Sequence, residues 1–284
     1  MRPQIPPRLA RVARHRKLIL FVGSGLSCAA GYPSWGEMVL RLVDEAREIP
    51  GARTAGLEEL LEKKDWFSLA EFARTTLTPY DFGEILREMF IEPAPPSRAH
   101  ELIARTDYRG IITTNYDRLL ELTMARAANR SPGTFTTNGI SAMAVALFTP
   151  ALFIYKMHGD IYDAGSMILT ASDYDQMILF NPHTRSFLHG AMLNYTLLFV
   201  GYSLSDPDFQ LVLRELSLMF QHHVPKHYAL IPNCGDFAKE HLLRRLNVQA
   251  IGYDPADDHR EAADFLAEIQ AIAPFPPRAL AKAS

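Results

Sequence analysis

Four short segments combine side chains capable of chemistry with a position at the end of an apolar run. The first is LILFVGSGLSCAAGYPSW, in which an apolar stretch runs into Gly23-Ser24-Gly25-Leu26-Ser27. Glycines at such a turn let backbone amides approach a pyrophosphate, which the unpaired N–H groups of a helix start then stabilise. The pattern departs from GxGxxG, because Cys28 stands where the third glycine would be, and a tight turn without ligand would use the same residues. The second segment, GIITTNYDRLLE, sets Thr113, Thr114, Asn115, Tyr116 and Asp117 where a buried strand stops. Asn115 or Asp117 alone would serve as a helix cap, but one cap does not account for the whole cluster. The third, FIYKMHGD, puts His158 just past an apolar run, followed by Gly159 and Asp160. Imidazole is the side chain best matched to proton transfer near neutral pH, although a hydrogen-bonded structural histidine fits the same place. The fourth, LLFVGYSLSDPDF, reaches Gly201 and Ser203 before Asp206-Pro207, a pair suited to cap a helix and begin it.

The elements that must position these segments are buried strands, expected at Leu18–Gly23, Gly110–Thr114, Leu152–Met157, Met167–Thr170, Thr196–Gly201, His227–Pro232 and Val248–Gly252. Three-to-four spacing of apolar residues predicts helices over Met38–Arg47, Glu58–Lys63, Trp66–Thr75, Phe82–Phe90 and Ser97–Arg105, all between the first two strands. That is too much for one crossover, so a helical insertion over residues 36–107 is expected within a single domain spanning 1–284, with Pro93, Pro95 and Pro96 breaking the chain before its last helix. Further helices are expected at Arg118–Ala127, Thr184–Leu193, Asp208–Met219, Phe237–Leu246 and Arg260–Ile272, with a loop near Ser131–Ser141. This alternation predicts an α/β fold with a doubly wound, Rossmann-like parallel sheet, whose ligands bind beyond the carboxyl ends of the strands.

Composition narrows the function classes. The chain has 284 residues, 48% hydrophobic and 21% charged, with 16 Gly and 19 Pro, which excludes disordered and fibrous classes. A formal charge of −3 gives no electrostatic reason to expect direct nucleic-acid binding, sequence-specific or otherwise. Cys28 and Cys234 are too few for a disulfide framework or a four-cysteine zinc site, and no run of about 18 apolar residues offers a membrane span. The start, MRPQIPPRLARVARHRK, is basic and Pro-broken rather than a signal peptide; Arg8, Arg11, Arg14, Arg16 and Lys17 are read as a solvated arm, and a reducing cytoplasmic setting is expected. His222, His223 and His227 lack a carboxylate at ligand spacing and are read as exposed or helix-capping, not as a metal site. Cys28 is read as a small residue of a packed turn whose thiol a helix start could activate, and Tyr32 and Trp35 as residues facing either the crevice or the inserted helices.

Taken in order, these motifs resemble the sirtuin superfamily, and more closely the sirtuin-like NAD-consuming domains of bacterial antiphage systems. GSGLSCAAGYP is similar to GAGxSxxxGxP through Gly23, Gly25, Ser27, Gly31 and Pro33, and TNYD to QNxD through Asn115 and Asp117. His158-Gly159 is similar to the catalytic His-Gly pair, and Gly201-Tyr202-Ser203-Leu204 to the GTSL cofactor loop. The resemblance runs from about Leu18 to Tyr253. The chain departs from deacylating sirtuins where Gly31-Tyr32-Pro33-Ser34-Trp35-Gly36 replaces GIPDFR, where Thr114 replaces Gln, and where the two CxxC pairs of the zinc module are missing.

The resemblance implies an NAD+ glycohydrolase, releasing nicotinamide and ADP-ribose as the toxic effector of an antiphage system, with NAD+ as substrate and no zinc. It implies that Asn115 orients water and the nicotinamide ribose, that His158 is the base, and that Asp117 supports Asn115 or stabilises charge on the sugar. Gly23, Ser24, Gly25, Ser27, Pro33, Trp35, Thr114, Gly201 and Ser203 would hold the cofactor. The leaving pyridine departs neutral, so no carboxylic acid need protonate it. Two other functions stay open: an NAD-dependent protein deacylase or ADP-ribosyltransferase, and a non-catalytic NAD or ADP-ribose sensor. An ungated hydrolase would kill its host and the catalytic domain uses nearly the whole chain, so control in trans is expected. The resemblance suggests a homo-oligomer and a HerA-type hexameric ATPase partner.

Overall fold

The computed structural model describes residues 3–90, 95–177, 181–204, 207–220 and 224–275. Pro93, Asp206, His222 and His223 lie outside the described residues. The chain begins with α1 (Pro7–Arg14), β1 (Leu18–Val22) and the short α2 (Ser24–Cys28), then passes through α3 (Trp35–Arg47), α4 (Leu57–Lys63), α5 (Trp66–Thr76), α6 (Pro79–Phe90) and α7 (Arg98–Ala104). It continues with β2 (Gly110–Thr113), α8 (Leu119–Ala128), β3 (Gly133–Thr136), α9 (Ile140–Ala146), β4 (Phe153–Lys156), α10 (Ala171–Asp175), α11 (Pro182–Asn194) and β5 (Thr196–Val200). It closes with α12 (Pro207–Met219), β6 (His227–Pro232), α13 (Asp236–Leu246), β7 (Val248–Tyr253) and α14 (Ala256–Ile272).

Among the described residues the seven strands form one sheet in the order β3-β4-β2-β1-β5-β6-β7, with every pairing parallel. The α/β doubly wound expectation therefore holds. β1 lies at the centre and is buried along its whole length, so alternate side chains feed two different cores. Ile19 and Phe21 join residues of α9, α11 and α12 on one face, while Leu18, Leu20 and Val22 join α1, α7, α8 and α14 on the other. Such double coverage is what parallel strands require, because water satisfies neither face. β1 pairs with β2 on one side and β5 on the other, and chain order reverses at that point. The reversal opens a crevice at the carboxyl ends of β1 and β5.

Helices α3 to α6 pack around their own buried set, which includes Val39, Leu42, Leu69, Ala73, Phe82 and Leu86, together with Tyr116, Ile161, Met167 and Leu169 from the strand-end loops. A reciprocal capping box starts α3: Glu37 N donates to Ser34 Oγ at 3.3 Å and Ser34 N donates to Glu37 Oε2 at 2.8 Å. α7 instead packs with α8 and α14 against the sheet.

Three expectations need correction. The segment Gly133–Thr136, read as loop, is the edge strand β3, paired with β4; its GTFT sequence is half-exposed and polar, so it lacks the apolar run of an inner strand. Met167–Thr170 is not a strand: Ile168 N donates to the His158 carbonyl at 2.9 Å, Tyr116 donates to the Ile168 carbonyl at 2.6 Å, and Thr170 caps α10. Its apolar residues fill the helical core instead of a sheet position. The basic start is helical rather than a solvated arm, since α1 buries Leu9 and Ala13 and turns its arginines outward. Among the described residues no helix is long and apolar enough to cross a membrane.

Candidate active site

The ends of β1 and β5 meet backbone to backbone. Gly23 N donates to Val200 O at 3.1 Å and Gly25 N to Gly201 O at 2.9 Å. A Cβ on Gly23 would stand 2.5 Å from the Gly201 oxygen, and one on Gly201, whose φ is +63°, would stand 2.5 Å from the Leu26 nitrogen. Only glycine permits this approach, so both glycine turns serve to bring two loops together as well as to admit a ligand.

Beyond them opens a cleft of about 430 Å³, within the range of roughly 300–1,000 Å³ found for small-molecule sites. Ser24, Gly25, Ser27, Pro33, Trp35, Thr114, Asn115, Asp117, His158, Gly201 and Ser203 all line it, as do Cys28, Phe67, Tyr174 and Tyr202. Of the residues expected from sequence to catalyse or to hold the cofactor, Gly23 alone stands behind the wall, where its carbonyl accepts from Asn115.

Asn115 is held in one orientation. Its Nδ2 donates to the Gly23 carbonyl at 3.1 Å and to Ser27 Oγ at 2.8 Å. A carbonyl accepts only, so the amide nitrogen must face it, which leaves Oδ1 as a buried acceptor with no hydrogen-bond partner among the described residues, on a side chain that lines the cleft. Ser27 passes its own proton to Asp117 Oδ2 at 2.7 Å, while Asp117 Oδ1 accepts from Leu119 N at 2.9 Å at the start of α8. The carboxylate thus caps a helix and orients the hydroxyl that orients the carboxamide.

His158 enters from the turn after β4 and is 6% exposed. Burial pushes its imidazole down to about 3, so the ring is neutral throughout the physiological range. Its Nδ1 lies 3.3 Å from the Tyr174 hydroxyl, and the two rings meet edge to face. Tyr174 in turn packs against Phe67, and Phe67 against Trp35, so a row of aromatic rings from α10, α5 and α3 walls the cleft. Trp35 therefore serves both uses expected of it, lining the cleft and packing on the helical layer, whereas Tyr32 is buried against Phe90. Gly159 has φ +93° and would place a Cβ 2.2 Å from the Ser166 oxygen, so the sharp turn that presents His158 needs glycine.

Sequence reasoning missed the support beneath these groups. Lys156 is fully buried at the end of β4, and its Nζ donates to the carbonyls of Tyr116 at 2.8 Å and Asp117 at 2.6 Å and to Asp160 Oδ2 at 2.9 Å. Arg118 adds a second cation to Asp160 at 2.9 Å. Burial raises the Asp160 carboxyl, but Lys156, Arg118 and the Tyr162 amide outweigh it and hold the group below its ordinary value. A lysine inside an apolar run, four residues before an aspartate, was the available signal.

One side reading narrows and one changes. Cys28 loses the option of activation at the helix start: burial first, and the Glu37 charge next, push its thiol up. His227 is buried in β6, neither exposed nor capping, and its Nδ1 accepts from Leu197 N at 3.1 Å. Among the described residues no group of three or more His, Cys, Asp or Glu gathers to hold a metal ion.

The SIR2-like domain family matches residues 109–251, half of the chain. The chain is 31% identical over 277 residues to the NAD(+) hydrolase ThsA of Enterococcus faecium, covering 88% of this chain and 54% of that protein. It is 27% identical over 251 residues to the NAD(+) hydrolase ThsA of Cytobacillus dafuensis, covering 86% and 47%. Over 210 residues it is 26% identical to defense-associated sirtuin 2 of Bacillus subtilis, covering 71% of this chain and 19% of that protein. The chain thus spans about half the length of the two hydrolases. With a parallel sheet, two interlocked glycine turns and an Asn–His cleft at the point where strand order reverses, the chain belongs to the SIR2-like domain family.

Proposed function

We propose that the chain is an NAD+ glycohydrolase, splitting NAD+ and water into nicotinamide, ADP-ribose and a proton, and that it is the NAD-depleting effector of a bacterial antiphage defence system. The observation that carries the reading is the Asn115 Oδ1 acceptor, buried without a hydrogen-bond partner among the described residues, on a side chain that lines the same cleft as a neutral His158. Relatives named NAD(+) hydrolase over most of this chain's length support it.

The chemistry follows from these groups. The nicotinamide–ribose bond breaks with its electron pair going to the pyridine nitrogen, leaving an oxocarbenium-like C1′. Substrate carries a pyridinium charge, which a protonated histidine would repel, so burial of His158 favours binding. A water held by Asn115 Oδ1 bonds to C1′ and becomes acidic as it does so, and the neutral imidazole then takes its proton. A positioned base contributes about 10²–10⁴-fold when its pKa lies near the working pH, so an imidazole held down to about 3 supplies the low end of that range. Asp117 acts through Ser27 on Asn115. Ser24, Gly25, Ser27, Gly201 and Ser203 hold the ADP-ribose half, with Gly23 behind them, and Thr114, Pro33 and Trp35 border the nicotinamide end. Residues 36–107 are an insertion in a single sirtuin-like domain over 1–284. The enzyme acts in the cytoplasm as a homo-oligomer controlled in trans by a HerA-type ATPase, because free activity would exhaust the host's NAD+.

The test is mass spectrometry of nucleotide products after NAD+ is incubated with the purified chain, alone and with its neighbouring gene product. Equal release of nicotinamide and ADP-ribose is expected. O-acyl-ADP-ribose or labelled protein would assign a transferase instead, and tight ADP-ribose binding with intact NAD+ throughout would assign a sensor.

A further inference from the structure

We propose that Lys156 is a positioning residue that sets the separation between Asn115 and His158 by pinning the turn that carries one to the loop that carries the other; this rests on the hydrolase reading. The two functional side chains sit on different strand ends. Asn115 lies on the loop between β2 and α8, and His158 on the turn after β4. What joins them is a fully buried ammonium. All three protons of Lys156 Nζ are committed, two to the loop carbonyls of Tyr116 and Asp117 and one to Asp160. Lys156 stands two residues before His158 and Asp160 two residues after it, so both flanks of the histidine turn are gripped. The far flank is tied to the same loop twice more: Ile161 N donates to the Tyr116 carbonyl at 3.1 Å, and Arg118 Nε bonds both Asp160 oxygens at 2.9 and 3.1 Å.

A fold needing only stability at this position would be served by an apolar side chain, since burying a charge costs free energy unless its bonds are complete. A saturated ammonium gives what an apolar group cannot: directional bonds to two consecutive carbonyls, which fix the backbone of residues 116 and 117 immediately after Asn115. The lysine reaches neither the cleft surface nor the reacting atoms, so it works through the residues it holds.

Steady-state hydrolysis of NAD+ and calorimetric binding of ADP-ribose by the full-length Lys156→Met protein test this. Misplacement of reacting groups by about 1 Å costs on the order of 100-fold, so kcat should fall about that far. ADP-ribose affinity should stay within about threefold, because the glycine turns are untouched. A folded variant whose kcat stays within about threefold of wild type overturns the proposal. If Lys156→Met does not fold, Arg118→Met reads the outer half of the same grip from a side chain 47% exposed. Its kcat should fall at least about fivefold with unchanged ADP-ribose affinity, and Arg118→Lys should restore it. An unaltered kcat in Arg118→Met overturns the proposal. Should the wild type leave NAD+ intact, the hydrolase reading fails separately, and hydrogen exchange decides on the grip: peptides over 114–118 and 157–161 should exchange faster together in whichever of the two variants folds, with β1 and β5 unchanged. Exchange that is unaltered, or altered in only one loop, overturns it.

Discussion

Replacing Asn115 by Asp changes one group in the cleft wall and almost nothing in shape. The nitrogen that donates to Gly23 O at 3.1 Å and Ser27 Oγ at 2.8 Å becomes an oxygen with no proton to give. It then faces a carbonyl oxygen on one side. On the other it faces a hydroxyl whose proton is already committed to Asp117 Oδ2 at 2.7 Å. Gly23 O keeps its bond from Leu26 N, so no new orphan arises there. Two buried hydrogen bonds at about 1 kcal/mol each are lost, and a second carboxylate is added across one hydroxyl from the first, so a total of roughly 2–4 kcal/mol is expected. Burial and the Asp117 charge raise the introduced carboxyl above its unfolded value. A carboxyl of that kind costs stability as pH rises through its folded value, so the deficit against wild type should be larger at pH 8 than at pH 5. Asn115→Ala loses the same bonds without the charge, and its deficit should not depend on pH. In both variants kcat for nicotinamide release should fall about 10²–10³-fold, the usual consequence of removing one pre-aimed polar group. Urea denaturation at the two pH values, read beside the hydrolysis rate, tests the account. An Asn115→Asp protein as stable as wild type at pH 8, with kcat within tenfold, would refute it.

The buried histidines predict acid behaviour. His158 titrates at about 3 and His100 and His227 at about 4, against 6.5 when unfolded, so their contribution is complete above pH 6.5 and is lost as pH falls toward 3–4. Each such group removes up to about 1.4 kcal/mol per pH unit in that window, so denaturation midpoints that stay flat from pH 7 to 5 would contradict the burial. For the same reason kcat/KM, which reports the free enzyme, should show no limb near pH 6.5, and an acid limb there would mean an exposed imidazole. Gly159→Ala forces a Cβ to 2.2 Å from the Ser166 oxygen at φ +93°, and Gly201→Ala one to 2.5 Å from Leu26 N at φ +63°. Each should cost more than the roughly 1–2 kcal/mol of the backbone conformation alone, and Gly201→Ala should also weaken ADP-ribose binding in calorimetry; near-wild-type melting would show that the turns can yield. Cys28, with its thiol raised by burial, should react with iodoacetamide at pH 7 more slowly than free cysteine, as peptide mass spectrometry can time.

Those strand ends were legible because a parallel sheet writes its inner strands as unbroken apolar runs and its ligand loops as the polar residues that follow. LILFV before Gly23 and TLLFV before Gly201 carry both signals, and the structure makes them neighbours. β3 was not legible, because an edge strand with a half-exposed GTFT sequence has neither. Met167–Thr170 misled for the opposite reason: its apolar residues are buried by the helical layer, and burial alone does not say against what. The support of the site was the least visible. A lysine in an apolar run reads as an interruption until its three acceptors are in view, two of them backbone carbonyls that no side-chain pattern announces.

Asp117 offers the sharpest division between geometry and charge in this cleft. Both of its oxygens are engaged, one by the Leu119 amide and one by Ser27, and the second bond leads on to Asn115. Were its charge to act directly on a cationic sugar about 4–8 Å away, an effective dielectric of about 20 would make it worth roughly 2–4 kcal/mol, or about 30- to 1,000-fold in rate. Were it to act through Ser27, only the hydrogen bond would count. Asp117→Asn removes the charge but keeps one acceptor oxygen, which turned to Ser27 still accepts its hydrogen bond at the cost of the bond from Leu119 N, since the amide nitrogen cannot accept. Asp117→Ala removes both. The Ser27 route predicts that kcat for Asp117→Asn stays within about tenfold of wild type while Asp117→Ala falls to the level of Asn115→Ala. Equal losses in the two Asp117 variants, with Ser27→Ala active, would give the carboxylate a direct electrostatic part and remove the relay from Asp117 through Ser27 to Asn115.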